Sequence, residues 1–85
     1  MTSTTDPSGP IEVWLRKAAI GITCTLVRAD ESTQQVDVES LSMRGAEREM
    51  TGWFIRQGYS PAGRWETTAT GNGATEVMRV FRPAS

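Results

Sequence analysis

Residues 42–57 read SMRGAEREMTGWFIRQ, and the spacing within this stretch decides the fold. Met43, Ala46, Met50, Trp53, Phe54 and Gln57 recur at i, i+3, i+4 intervals, which gathers them into one narrow arc of a 3.6-residue period. Ser40 or Ser42 is suited to accept from the first-turn amides as an N-cap. Gly58 stands where a left-handed C-cap is needed, and Pro61 forbids continuation soon after. Arg56 near the C-terminal end suits the helix dipole. A helix from about Ser42 to Gln57 is therefore expected, with Met43, Met50 and Phe54 against a sheet.

The flanking segments alternate with period two instead. Ile11, Val13 and Leu15 share one parity, and Ile20, Ile22, Cys24 and Leu26 share the other. This is the pattern of strand, and the change of parity near Ala18 predicts a bulge or a break into two strands. A helix over 11–20 is the competing reading, disfavoured by the Ile, Val and Thr of the second half. Asp30-Glu31-Ser32-Thr33 forms a polar turn, followed by a short strand through Val36 and Val38. Beyond the helix, residues 63–68 and 76–82 form two arms of a hairpin around Thr70-Gly71-Asn72-Gly73-Ala74. The expected fold is α+β: a small antiparallel sheet of about four strands, in the order β-β-α-β-β, with one helix packed on one face.

Residues 1–10 hold no apolar side chain after the first Met and are expected to be a flexible N-terminal tail. Residues 11–85 make a single domain. A core of that size is marginal alone, and such domains often gain stability by self-association. The 85 residues carry a formal charge of −1, which exerts no general pull on nucleic acid or anionic membranes. The charge is uneven: acids predominate before Ser40, and six arginines face four glutamates after it. Eight of the nine basic residues are Arg, which reflects either GC-rich coding or use of its planar, multi-donor fork. The lone Cys24 allows no disulfide framework and alternates with Ile22 and Leu26 as a core residue. The sequence reads as having neither signal peptide nor membrane span, which points to the cytoplasm.

Histidine is absent, which removes the commonest general base and the usual Ser/His and Cys/His pairs. One Cys and no His leave no structural zinc set, and Gly71-Asn72-Gly73 is not a phosphate loop, because no strand-to-helix context surrounds it. No catalytic residue, cofactor or metal site is assigned, and the chain reads as non-enzymatic.

Two surfaces remain as binding candidates. The outer side of the helix carries Gly45, Arg48, Gly52, Ile55 and Arg56. Two interior glycines each cost about 1 kcal/mol against Ala, which reflects either a close neighbour over the backbone or GC-rich coding that simply supplies Gly. Trp14 has the parity opposite to Ile11, Val13 and Leu15, and so belongs on the outer sheet face. Val77 and Phe81 share one parity of the last strand, and Met78 and Val80 the other. The expectation is an interaction module that forms a homodimer and binds a protein partner through Arg48, Gly52, Ile55, Arg56 and Trp14, with Arg79 alongside. The alternative is a nucleic-acid-binding regulator using Arg64, Trp65, Arg79 and Arg82 on the C-terminal hairpin. It is disfavoured because a basic excess is missing, and because Glu66 and Glu76 offer cross-strand partners to those arginines.

Overall fold

The computed structural model describes residues 9–71 and 73–84. The expected N-terminal tail lies outside the described residues except for Gly9 and Pro10. The architecture is α+β, with one helix and five strands where about four were expected. The strands are β1 (Ile11–Ala18), β2 (Gly21–Val27), β3 (Thr33–Val36), β4 (Tyr59–Gly71) and β5 (Ala74–Pro83), and α1 (Met43–Arg56) lies between β3 and β4. The fifth strand comes from the parity change near Ala18, which is a complete break. Ala18 pairs with Gly21 across Ala19-Ile20, and Gly21 takes the positive φ of 135° needed to enter β2. Residues 11–18 are strand, not helix.

All pairings are antiparallel, and the sheet order is β3-β2-β1-β5-β4. The first three strands form a meander and the last two a hairpin. One non-local pairing, Ile11↔Phe81 through Lys17↔Thr75, joins the two halves. Helix α1 crosses one face. Ile11, Val13, Leu15, Cys24, Leu26, Val77 and Phe81 meet Ala46, Met50 and Phe54 there, each 5 % exposed or less. Phe54 packs against Phe81 with ring centroids 5.3 Å apart and planes tilted by 38°, and meets Trp53 edge-on at 4.8 Å. Met43 and Trp53 are partly buried at the margins.

The helix ends where its sequence said it would. Ser42 is the N-cap and accepts from the Gly45 amide at 3.1 Å. Gln57 is the C-cap, exposed at the end of the apolar arc rather than inside it. Gly58 follows at φ 97°. Pro61 then lies within β4, where an edge strand tolerates its missing N–H.

Two expectations are corrected here. Ile20 does not join the core register: it sits in the β1–β2 connection and is 95 % exposed. Val38 lies beyond β3, which stops at Val36. The predicted C-terminal turn includes Asn72, outside the described residues, but its arms reach further than expected and close at Gly71↔Ala74.

Candidate functional site

Strand alternation gives the sheet a second face of side chains, and among the described residues no helix or loop layer covers it. Across its middle, Gln35, Thr25, Trp14, Met78 and Glu66 are successive partners on five adjacent strands. A neighbouring row runs Thr33, Val27, Glu12, Val80 and Ala62. Trp14, Val27, Met78 and Val80 are half-buried there. The indole Nε1 of Trp14 donates to Glu12 Oε1 at 3.1 Å, and Gln35 donates to Thr25 Oγ1 at 3.0 Å. These bonds hold the polar margin around an apolar centre. At one end of the face, Pro10, Ile11, Glu12, Val27, Arg28 and Val80 contribute to a recess of about 460 Å3.

On the helix side a second feature forms from residues that the sequence reading had divided between two hypotheses. Arg48 of α1 meets Trp65 of β4 and Arg79 of β5 around one open recess, with Arg44, Glu47 and Thr51. The β4 backbone explains Arg79. Pairing shifts register between Ala62 and Glu66, which leaves the Gly63 carbonyl off the ladder, and Arg79 Nη2 donates to it at 2.7 Å. Its guanidinium carbon lies 5.8 Å from the Phe81 ring centroid. The cross-strand ion pair expected with Glu66 or Glu76 is therefore not Arg79's arrangement. Thr68 Oγ1 donates to Glu76 Oε1 at 3.3 Å instead.

Other predicted residues are dispersed. Trp65 and Arg79 are on the helix face, Arg82 follows Phe81 and faces away, and Arg64 is exposed in the bulged part of β4. The four residues of the nucleic-acid alternative thus do not share one face. Gly52, Ile55 and Arg56 lie on the outer side of α1, with Ile55 50 % exposed. The helix glycines have different explanations. A Cβ on Gly45 would lie 3.0 Å from Ser42 Oγ and 3.2 Å from Ser40 Oγ, so the close neighbour is this chain's own loop. A Cβ on Gly52 would meet only Arg56 Nη1, at 3.6 Å.

That loop is clamped by Glu49, whose carboxylate accepts from the Glu39 and Ser40 amides at 3.0 and 2.9 Å and from Ser40 Oγ at 2.7 Å. The Ser40 hydroxyl foremost, then these amides, hold its pKa below the ordinary carboxyl value. Cys24 is fully buried, and burial, with the Glu49 charge second, pushes its thiol up to about 12. Among the described residues, no group of three or more His, Cys, Asp or Glu side chains is placed to hold a metal ion. No described helix is long and apolar enough to cross a membrane.

Sequence reasoning missed Arg44 and Thr51. Their signal was present: Arg44, Arg48, Thr51 and Ile55 fall at i, i+4, i+7 and i+11 along one flank of the helix. Comparison of the chain with protein-family models, with curated proteins and with solved structures found no match.

Proposed function

We propose that this chain is a non-enzymatic interaction module that pairs with a second copy of itself through the open face of its sheet. The observation that carries the reading is the Trp14–Met78 pair flanked by Val27 and Val80, an apolar centre with a polar rim on a face that α1 does not cover. That anatomy is the one protein interfaces use, with an aromatic anchor at the middle. Charge supports self-pairing too: Arg16, Glu66, Glu76 and Arg82 border the centre and Glu12 lies between Val27 and Val80, so both signs are present and a two-fold operation can bring opposites together. Gly52, Ile55 and Arg56 on the helix exterior offer a smaller second contact for a protein partner. The lone buried thiol suits a cytoplasmic setting.

Sedimentation velocity across a wide concentration range tests this. Dimers are expected to form reversibly, and Trp14→Glu is expected to raise the dissociation constant about 30-fold or more, the penalty for losing a hot-spot residue. A strict monomer at millimolar concentration removes the self-pairing reading. Because Ile55→Asp changes the opposite side of the molecule, a dimer lost only in that variant relocates the interface to the helix.

A further inference from the structure

The arginine-lined recess beside α1 is on the other side of the sheet from Trp14, and what it can bind is a separate question. Its volume is about 410 Å3, and three guanidinium groups, Arg44, Arg48 and Arg79, contribute to its walls against the single carboxylate of Glu47. Arg79 is the most constrained of the three. It sits on the apolar face between buried Val77 and Phe81, with one hydrogen bond among the described residues, to the Gly63 carbonyl. Its Nε is covered and has no partner. A guanidinium offers five donors, and a half-buried one that makes no ion pair among the described residues leaves a standing electrostatic cost that an incoming anion relieves.

The neighbouring wall is already built. Trp65 is held between Phe81, 6.2 Å away by ring centroids, and Thr51, whose Oγ1 accepts from the indole Nε1 at 3.1 Å. With its oxygen taken by the indole, the Thr51 hydroxyl has its own proton to give. Arg44, Arg48 and Thr51 occupy successive turns of one helix flank, so their donors present themselves as a row.

We infer that this recess binds the carboxylate side chains of an acidic peptide segment in another protein. The planar guanidinium fork matches a carboxylate in two parallel hydrogen bonds. The recess is open to solvent, which suits side chains projecting from another chain's surface rather than an enclosed small ion. Glu47 in the wall repels a dianion more strongly than a single carboxylate. The exposed arginines of the hairpin, Arg64 and Arg82, are not among the residues of the recess, so it does not continue into a basic track of the kind that follows a nucleic-acid backbone.

The experiment is a titration of isotope-labelled protein with hexaglutamate at low salt, following the Trp65 indole N–H and the Arg79 Nε–H resonances. Both are expected to shift saturably, and Arg44→Gln combined with Arg48→Gln is expected to weaken binding about tenfold or more, the loss of one charged hydrogen bond or its equivalent. Both residues are exposed, so the variant keeps its fold, which its amide spectrum verifies. Shifts scattered over all basic surfaces, or an affinity unchanged in the double variant, overturn the assignment. So does tighter occupation of the same resonances by a phosphoserine peptide or an oligothymidylate, which would make the recess a phosphate site. Trp14→Glu is expected to leave the hexaglutamate response intact, so this inference and the dimer reading fail separately.

Discussion

Gly45 and Gly52 are both inside α1, and replacing each with Ala separates intrinsic helix propensity from packing. In an exposed helix interior, Gly→Ala is worth about 1 kcal/mol. At Gly52 the new methyl finds only the end of a flexible arginine at 3.6 Å, so nearly the whole amount is expected as stability. For a domain of this size that corresponds to a rise in Tm of about 4–8 °C. At Gly45 the same methyl presses on Ser42 Oγ at 3.0 Å and on Ser40 Oγ and Cβ at 3.2 and 3.3 Å. Neither serine yields freely: Ser42 caps the helix, and Ser40 is bound to Glu49. Disturbing the cap costs about 1 kcal/mol, so the gain cancels and Tm is expected to stay level or fall. Thermal unfolding followed by circular dichroism, at a concentration low enough to keep the monomer, reads both variants. If Gly45→Ala stabilises as much as Gly52→Ala, the loop does not pack on the helix as described. If Gly52→Ala strengthens the monomer yet weakens association, the outer helix face takes part in the contact after all.

Other outcomes follow from the same geometry. Met78→Lys, opposite Trp14 on the outer face, is expected to weaken dimerisation by tenfold or more while leaving the monomer's unfolding midpoint nearly unchanged, measured by sedimentation and by urea melts. Glu49 has a folded pKa below its ordinary value of 4.5, so its contribution is present above that pH and disappears as pH falls through the lowered value. Glu49→Gln is therefore expected to flatten the acid limb of a stability-against-pH curve, modestly, since the carboxylate is screened by solvent. Cys24 has a folded pKa raised from 9.0 to about 12, so its contribution is complete below pH 9 and declines as pH rises towards 12. At pH 8 a disulfide reagent is expected to label it only at the rate of global opening, and rapid labelling of the native protein would contradict its burial.

Local pattern made the helix legible almost to the residue, because capping chemistry and the Met/Trp/Phe arc act within a few positions of each other. Trp14 was legible for the same reason, since parity against Val13 and Leu15 fixes its face. Ile20 was misread because alternation alone does not distinguish the last residue of a turn from the first of a strand. Gly21, with its positive φ, was the overlooked marker. Gly45 was read as a sign of a partner because a sequence cannot show that Ser40 folds back across the helix. The sheet order was invisible for a related reason: β1 and β5 are almost the length of the chain apart, and no local signal encodes their register. The arginine recess depends on that register and on the β4 bulge, which together turn Arg79 to the helix side and place Trp65 under Thr51.

The pairing of β1 with β5 also sets an order of events during synthesis. The central strand β1 is made before every other element of the sheet, and its partner β5 after all of them. Until Phe81 arrives opposite Ile11, the meander of β1, β2 and β3 has only α1 to shield its apolar side, and Phe54 lacks the ring it packs against. A growing chain that stops short of β5 therefore displays Val13 and Leu15 at a raw sheet edge, in a form that invites the wrong neighbour. The core cannot close until β5 has been made, so chaperone binding to stalled nascent chains should persist until residues 74–83 are released.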